Sequence, residues 1–381
     1  MKILIIALGY PTEKYKGHGI FEFDQAKALA KLGHEVIFAS VDMRSIRRWR
    51  RWDIEKLEKD GVLVYGINYP LGRVPGKMLT YFTVQGLKKL YKKIERESGR
   101  PDIMHAHFTG MGYAGAKLKE ITGIPLVITE HSSQINKKEI DMDLYQSAKK
   151  AYKDADSLIA VSPALANMIK YHFGCDATYI PNMVDTNAFT FEYKKTNDLF
   201  TFISVGNLIE TKRMDLTIEA FYREFKDAKN TKLIIVGEGP EKSKIESLIN
   251  KYDLKQRIKL TGSLERKDIS KYMNESDCFV LPSRAETFGV VYIEAMSVGL
   301  PVIATKCGGP EDFVNNSNGL LIDVDDLEQL RKAIRYMYDN IGRYDKKSIS
   351  DGTLRNFSPE NVASLIVNEY NKVLERYRHN N

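Results

Sequence analysis

The chain has 381 residues, of which 43% are apolar and 28% are charged, and its formal net charge is +7 at pH 7. This length suffices for two domains, and this composition is typical of a globular protein in water. No run of 18 apolar residues occurs, so no membrane-spanning helix is predicted. The modest positive charge fits anionic nucleotides or lipid headgroups, and no nucleic-acid partner is predicted.

The cysteines and the amino terminus indicate a cytoplasmic protein. Cys175, Cys278 and Cys307 are odd in number and far apart, which predicts neither a disulfide framework nor a metal site. The apolar segment 1–8 is too short for a signal peptide and ends at Gly9. We therefore interpret it as a first buried strand.

A glycine-rich loop separates this strand from the first predicted helix, residues 21–32. Gly17 and Gly19 begin a pattern similar to a dinucleotide-binding loop, but Glu22 takes the place of its third glycine. The signal for a nicotinamide dinucleotide is therefore weak. A glycine-rich loop beside a helix start still suits a phosphate, with an ordinary tight turn as the alternative.

The rest of the first half alternates strands with helices. Strands are predicted at residues 35–40, 62–67, 102–108, 125–129, 157–161 and 178–180, and a long helix at 78–97. His105 and His107 fall on one face of their strand, but the sequence suggests no third metal ligand nearby. His131 follows a strand at its carboxyl end, where open α/β sheets bind ligands.

A second alternation begins after a polar segment, residues 187–198, that is interpreted as a linker. Strands are predicted at 199–205, 232–236, 257–260, 277–281 and 301–304, and a final helix at 359–376. This order predicts a second parallel sheet. Two such sheets facing each other would place a ligand in the cleft between them.

The second half contains a strand, a loop and a helix that suit a diphosphate. The apolar strand ends at Leu281, and a helix is predicted at residues 290–298. The helix start exposes backbone N–H groups, and Gly289 lets the backbone approach a ligand closely. Glu286 in the loop and Glu294 in the helix could bind hydroxyls of the same ligand. The alternative is that both glutamates are solvated and bind no ligand.

This segment carries a resemblance to a known family. Pro-Ser-Arg-Ala-Glu286-Thr-Phe-Gly and Glu294-Ala-Met, followed by Gly-Leu-Pro-Val-Ile-Ala and a Gly-Gly pair, closely resemble glycosyltransferase family four. The resemblance implies the GT-B fold: two Rossmann-like domains face each other across a cleft, and the last helix returns to the first domain. It also implies retaining transfer of a sugar from a nucleotide-sugar to an acceptor hydroxyl. Glu286 would then meet the donor sugar, and Glu294 would hold the ribose.

A second motif departs from the family pattern. Val-Gly-Asn207-Leu-Ile-Glu-Thr-Lys212-Arg213 resembles the family's Val-Gly-Arg-Leu-x3-Lys-Gly, whose arginine and lysine clamp the diphosphate. Lys212 matches, Asn207 replaces the arginine, and Arg213 takes the glycine position. Either Arg213 supplies the missing positive charge, or the clamp on the diphosphate is weaker. The further alternative is that Lys212 and Arg213 belong to a solvated helix start and bind no ligand.

The resemblance assigns the other candidate residues. His131 would reach the donor sugar, Gly17 and Gly19 the donor phosphates, and the backbone of Phe288, Gly289 and Val290 the departing diphosphate. Gly237 would lie near the nucleotide and Leu264 near its base. Residues 1–190 with 359–381 would bind the acceptor, and residues 191–358 the nucleotide-sugar.

No cofactor or metal is expected beside the nucleotide-sugar, which would be of the UDP or GDP type. Three Asp-x-Asp triplets, beginning at Asp141, Asp154 and Asp323, are interpreted as surface. A sugar-nucleotide epimerase of the same fold and a non-catalytic nucleotide-sugar-binding protein are the rival hypotheses.

A basic stretch suggests where the acceptor is found. Residues 44–52 contain five arginines and both tryptophans, and Lys88, Lys89, Lys92 and Lys93 cluster on the predicted long helix. Such a stretch could dock on an anionic membrane, which would suit a glycan or lipid-linked acceptor in cell-surface glycan or exopolysaccharide assembly. An ordinary solvated basic helix is the alternative.

Overall fold

The computed structural model describes residues 1–15, 17–43, 53–71, 74–193 and 199–380. The chain divides into two compact units, Met1–Met183 together with Pro359–Asn381, and Val184–Ser358. Each unit is a sheet flanked by helices, so the predicted α/β fold class is confirmed. The basic stretch at residues 44–52 lies outside the described residues.

The first unit is built on an eight-stranded sheet with the order β3-β4-β2-β1-β5-β6-β7-β8. Its strands are β1 (Lys2–Ala7), β2 (Glu35–Met43), β3 (Ile54–Lys59), β4 (Val62–Tyr69), β5 (Ile103–His107), β6 (Leu126–Glu130), β7 (Ser157–Ala160) and β8 (Thr178–Tyr179). Neighbouring strands are parallel except for the antiparallel pair β3 and β4. The central strand β1 is buried from Ile3 to Ala7, as its unbroken apolar sequence predicts.

Several helices of this unit pack against its sheet. The helices of the unit are α1 (Ile20–Lys31), α2 (Gly76–Ser98), α3 (Phe108–Thr122), α4 (Met142–Asp154), α5 (Pro163–Phe173) and α12 (Pro359–Asn380). The last helix packs on the first through Val362, Ile366 and Tyr370, all within the core of this unit. The predicted return of the last helix to the first domain is therefore confirmed.

The second unit contains a six-stranded parallel sheet with the order β11-β10-β9-β12-β13-β14. Its strands are β9 (Phe200–Val205), β10 (Thr231–Val236), β11 (Ile258–Leu260), β12 (Cys278–Leu281), β13 (Val302–Thr305) and β14 (Gly319–Ile322). Its helices are α6 (Met214–Phe225), α7 (Lys242–Lys251), α8 (Arg266–Asn274), α9 (Val290–Ser297), α10 (Leu327–Asn340) and α11 (Lys346–Phe357). Because the strands are parallel, the loops after them all emerge at one edge of the sheet.

Two strands were missed in the sequence. Strand β3 has the charged sequence Ile-Glu-Lys-Leu-Glu-Lys and lies at the sheet edge, where one face meets water. Strand β14 has four residues and follows a turn at Asn315–Asn318 without a long apolar run. Within the described ranges, no helix is long and apolar enough to cross a membrane.

Candidate active site

Two sequence-predicted residues, Lys212 and Glu286, meet at the carboxyl edge of the second sheet. Strands β9 and β12 are neighbours, so the loops that follow them are adjacent. Lys212 ends a 3₁₀ turn, Glu210–Lys212, and its Nζ lies 2.6 Å from Glu286 Oε1. A backbone bond from Arg284 N–H to the Thr211 carbonyl, 2.8 Å long, joins the two loops. The fold thus places a cation and a carboxylate in direct contact.

The Glu286 carboxylate is held from several sides. Ser283 Oγ donates to Oε1 at 2.7 Å, so Oε1 accepts from both Ser283 and Lys212. The Glu286 carbonyl accepts from the Gly309 N–H at 3.0 Å, which fixes the backbone against the next loop. The other oxygen, Oε2, receives no hydrogen bond from the residues that the structure describes. Oε2 is therefore the atom with capacity to bind a ligand.

Cys307, beside this loop, carries no negative charge at neutral pH. Its carbonyl accepts from the Glu286 N–H at 3.4 Å. Burial raises the pKa of the Cys307 thiol to about 11. A Cys307 thiolate therefore does not compete with Glu286 for the positive charge of Lys212.

The start of helix α9 offers backbone donors next to Glu286. Gly289 precedes the helix with φ 92°, a left-handed conformation that favours glycine. A Cβ at Gly289 would lie 2.7 Å from the Tyr292 ring, so a side chain does not fit without movement. The buried Phe288 anchors the turn. The first N–H groups of α9 have no partner within the helix and can bind an anion.

Glu294 lies within helix α9 and has a basic neighbour that the sequence did not single out. Its Oε1 is 4.0 Å from Arg266 Nε, and the Glu294 side chain is 12% exposed. Arg266 also contacts Asp185, with Nη1 3.2 Å from Oδ2. Arg266 begins helix α8, two residues after the half-buried Leu264. Its position at the start of the helix that follows β11, close to Leu264, was a signal that could have suggested it.

Arg213 is bound to carboxylates of its own unit. Its backbone is left-handed, with φ 51° and ψ 42°, which explains why a glycine suits this position in the family motif. Its Nε donates to Asp215 Oδ1 at 3.1 Å, and its Nη1 pairs with Asp325. Arg284 Nε binds the same Asp325 at 2.9 Å. The guanidinium charge is thus largely offset within the protein.

One aspartate of the triplet that begins at Asp323 belongs to this cluster, and both aspartates of the triplet are exposed, as the interpretation of the triplet as surface requires. Asp325 is 42% exposed but joins two arginines from different loops. Asp141 caps helix α4 by accepting from the N–H groups of Asp143 and Leu144. Asp156 binds Lys119 and the Leu126 N–H. These aspartates have structural partners, and within the described ranges no group of three or more His, Cys, Asp or Glu could hold a metal ion.

Other predicted donor-binding residues of the second unit lie in loops at the same edge. Asn207 is exposed, and its carbonyl accepts from the Ile209 N–H at 2.8 Å. Gly237 has φ 149°, and a Cβ there would lie 1.9 Å from the Gly206 carbonyl oxygen. Only glycine fits where the ends of β9 and β10 approach this closely. Val290, at the start of α9, is half-buried.

In the first unit, the two loop glycines differ. Gly19 has φ 66°, and a Cβ there would lie 1.9 Å from the Gly9 carbonyl oxygen, so glycine is required. Gly17 is exposed, and a Cβ there would meet no atom within 4 Å. The fold therefore explains why position 19 is a glycine. The proposed role of Gly17 at the donor phosphates stays a prediction.

His131 follows strand β6 and is half-buried. Burial lowers its pKa to about 4, so the imidazole is neutral at neutral pH. Its Nε2 lies 3.0 Å from Nδ1 of His107, which is fully buried. The preceding Glu130 accepts from the N–H groups of His131 and Ser132 at 2.9 and 2.8 Å. The sequence indicated His131 but not the Glu130 carboxylate that orders its loop.

Comparisons with known proteins identify the family of this chain. Residues 16–188 match the model of Glycosyltransferase Family 4, and residues 185–349 match that of Glycosyl transferases group 1. An uncharacterized glycosyltransferase of Methanocaldococcus jannaschii is 32% identical over 249 residues, which cover 64% of this chain and 67% of that relative. A putative teichuronic acid biosynthesis glycosyltransferase of Bacillus subtilis is 28% identical over 364 residues, 90% of each chain.

A solved structure gives the same fold. The Anabaena protein HepE, in complex with UDP, aligns with a TM-score of 0.75 and 19% identity over 98% of this chain and 100% of its own. Two α/β units built on largely parallel sheets, together with this structural match, define the GT-B fold. The chain belongs to glycosyltransferase family 4, and it is a glycosyltransferase.

Proposed function

We propose that this enzyme transfers a sugar from a UDP- or GDP-sugar to an acceptor hydroxyl and retains the anomeric configuration. The observation that carries the proposal is the contact of Lys212 with Glu286 beside the start of helix α9. This arrangement offers positive charge for a diphosphate and a carboxylate oxygen for a sugar hydroxyl. The domain roles follow: the second unit binds the donor, and the first unit binds the acceptor.

Lys212 is proposed to stabilise the leaving group. Negative charge grows on the diphosphate as the sugar–phosphate bond breaks, and a preorganised cation stabilises that charge most in the transition state. An ammonium has three donors, so Lys212 can keep its bond to Glu286 and also bind a phosphate oxygen. The N–H groups of Gly289 and Val290 add partial positive charge.

Retention is proposed to proceed by attack on the same face that the diphosphate leaves. In this step the bond from the sugar C1 to the phosphate oxygen breaks, and a bond from C1 to the acceptor oxygen forms. The acceptor proton passes to the departing phosphate oxygen. Glu286 Oε1 is bound by Lys212 and Ser283, which favours a positioning role over a covalent nucleophile. Glu286 and His131 would orient the sugar as C1 gains positive charge.

Nucleotide recognition is assigned to the same edge of the second unit. Glu294 is proposed to bind the two ribose hydroxyls, and Arg266, 4.0 Å away, holds its carboxylate in place. Gly237 and Leu264 would lie near the nucleotide and its base. The complex of HepE with UDP supports a uridine nucleotide as the first donor to test.

The acceptor is proposed to be a glycan or lipid-linked sugar used in cell-surface polysaccharide assembly. The Bacillus subtilis relative, named for teichuronic acid biosynthesis, supports this class. Helix α2 adds physical support, because Met78 and Tyr81 are 48% and 60% exposed and Lys89 and Lys92 are also exposed. Apolar and basic side chains together favour the anionic inner surface of a membrane.

The membrane proposal has its own test. The protein should bind phosphatidylglycerol vesicles at low salt and dissociate from them at high salt, and it should not bind phosphatidylcholine vesicles. Lys89→Gln with Lys92→Gln should weaken binding without changing affinity for UDP. Equal binding to both kinds of vesicle, or to neither, would remove the membrane from the proposal.

The experiment for the central function is a donor screen. UDP-, GDP- and ADP-sugars are tested for raised thermal stability and then for release of the nucleoside diphosphate, with EDTA present throughout. We expect one base to be preferred and turnover to survive the chelator. Isomerised nucleotide-sugar without nucleotide release would indicate an epimerase, and binding without turnover a non-catalytic protein. Activity that EDTA abolishes and manganese restores would contradict the charge assignment to Lys212.

A further inference from the structure

A chain of buried hydrogen bonds connects His131 with the interior of the first unit. His105 and His107 are fully buried on strand β5, and their rings stack with centroids 4.6 Å apart. The His107 ring stacks in turn on that of His131, with centroids 5.3 Å apart. Phe108 packs against His131 at 4.9 Å. The orientation of the His131 ring is thus fixed by its neighbours before any ligand arrives.

All three imidazoles are neutral at neutral pH. Burial lowers the pKa of His105 to about 3 and that of His131 to about 4, and it lowers the pKa of His107 well below its ordinary value. A neutral imidazole has one N–H donor and one acceptor nitrogen. In the contact of His107 Nδ1 with His131 Nε2, 3.0 Å long, one ring must therefore donate and the other must accept.

The amide nitrogen of Gln25 faces both buried histidines and favours one direction for this hydrogen bond. This nitrogen, a donor, lies 3.0 Å from His105 Nδ1 and 3.5 Å from His107 Nε2. An N–H on His107 Nε2 would oppose this donor, which favours the arrangement in which His107 carries its proton on Nδ1 and donates to His131. His131 Nε2 then accepts, and the His131 proton resides on Nδ1.

The other contacts of His105 are compatible with this assignment, because both of its hydroxyl partners can donate or accept. The Tyr370 hydroxyl lies 2.6 Å from His105 Nδ1, and Thr129 Oγ1 lies 2.7 Å from His105 Nε2, so His105 can accept at one nitrogen and donate at the other. Burial lowers the pKa of His131, and a side-chain hydrogen bond with Asn182 opposes this lowering, as expected when the imidazole donates an N–H. With Nε2 occupied by His107, we infer that this N–H is on Nδ1.

We propose that His107 and Gln25 are positioning residues that fix His131 as the Nδ1–H tautomer, so that His131 presents an N–H donor to an oxygen of the donor sugar. A sugar oxygen would then take the place of the Asn182 side chain as the partner of this imidazole. The inference rests on the proposed function for the role of His131 in sugar binding. The tautomer itself is a property of the protein alone.

The tautomer is measured in the full-length protein labelled with ¹⁵N histidine, by long-range ¹H–¹⁵N correlation without any ligand. Signals are assigned by comparing His131→Ala and His107→Phe with the wild type, and the exposed His379 serves as the solvated reference. The expected result is a protonated Nδ1 and an unprotonated Nε2 on His131. His107→Phe should move the proton to Nε2. A wild-type His131 protonated on Nε2, or one unaffected by His107→Phe, would overturn the proposal.

Kinetics supply a second readout. His107→Phe keeps a ring but loses the donor, whereas His107→Asn keeps an amide N–H near the Nδ1 position. We expect kcat to fall about tenfold in the Phe variant and to recover substantially in the Asn variant, because the substitution affects one hydrogen bond to the reacting sugar. The affinity for UDP should be unchanged in both variants. Equal losses in both variants would indicate a purely structural role.

Two further variants keep the outcome decisive. If His107→Phe does not fold, Gln25→Leu removes the amide donor instead and should produce a mixture of His131 tautomers; an unchanged His131 spectrum would count against the proposal. His172→Gln is the matched histidine control. If His131→Ala keeps full turnover, the proposed contact of His131 with the sugar fails, while the spectra still decide the tautomer.

Discussion

Lys212 Nζ lies 2.6 Å from Glu286 Oε1, although 74 residues separate the two in the sequence. The contact exists because strands β9 and β12 are adjacent and parallel, so both following loops emerge at the same edge. Both side chains are mostly buried, at 19% and 10% exposure. Solvent screens such a pair less than a surface ion pair, so removal of either partner should have a measurable effect.

Lys212→Ala should lower kcat by about 10²- to 10³-fold, the usual effect of removing one group that stabilises transition-state charge. KM for the nucleotide-sugar should change less, because the interaction strengthens as the bond breaks. Steady-state kinetics with the preferred donor make the measurement. Lys306→Ala is the control, since this exposed lysine pairs with Asp323 rather than with Glu286. A Lys212→Ala enzyme with near wild-type kcat would remove Lys212 from the clamp.

Glu294→Ala should weaken binding of the free nucleotide by about 1.5–3 kcal/mol, or roughly 10- to 150-fold, through loss of charged hydrogen bonds to the ribose. Calorimetry with UDP, or with the base preferred in the screen, measures this. Glu246→Ala, which changes an exposed glutamate on helix α7, should leave affinity unchanged. If both variants bind equally well, the ribose is held elsewhere.

Arg213→Gly should reduce kcat less than tenfold, far less than Lys212→Ala. The structure pairs Arg213 with Asp215 and Asp325, so little of its charge remains for a phosphate. Glycine also suits the left-handed backbone at this position, which should offset part of the lost ion pairing. A loss as large as that of Lys212→Ala would show that Arg213 replaces the arginine missing at position 207.

Glu22 predicts a pH dependence of stability in the first unit. Burial raises its pKa from 4.5 to about 7, so the folded protein holds a proton that the unfolded chain releases. The contribution of Glu22 is complete below pH 4.5 and is lost as the pH rises through 7. Glu22→Gln should therefore stabilise the unit by about 2–3 kcal/mol more at pH 8 than at pH 5.

This difference can be followed by urea titration with hydrogen exchange of strand β1 as the local probe. The buried histidines act in the opposite direction between pH 4 and 6.5, and they are common to wild type and variant, so they cancel in the comparison. Glu246→Gln should show no pH-dependent difference. A constant effect of Glu22→Gln across this range would mean that Glu22 has an ordinary pKa in the folded protein.

The sequence predicted much of the fold because the signals were local. Unbroken apolar runs gave β1 and β12, and Gly289 and Gly299 bounded helix α9 closely. Strand β3 was missed because an edge strand with charged residues lacks an apolar run. The family motifs named Lys212, Glu286 and Glu294, but no local pattern shows that Lys212 and Glu286 touch.

The unpredicted parts of the site depend on tertiary contacts. Arg266 meets Glu294 only because α8 and α9 are neighbours in the fold. His107 reaches His131 across the adjacent strands β5 and β6, and Gln25 reaches both buried histidines of β5 from helix α1. The sequence indicated no partner for the charge of Arg213, because Asp325, with which it pairs, lies far from it along the chain. Contacts of this kind require the folded coordinates.

The most direct test of the central claim is the configuration of the product. The enzyme is incubated with an α-linked UDP-sugar and octyl β-glucoside as a probe acceptor, and ¹H NMR follows the anomeric protons over time. We predict that an α-linked product and free UDP appear together, and that Lys212→Ala slows both equally. A β-linked product, or a nucleotide-sugar isomer formed without release of UDP, would contradict the account.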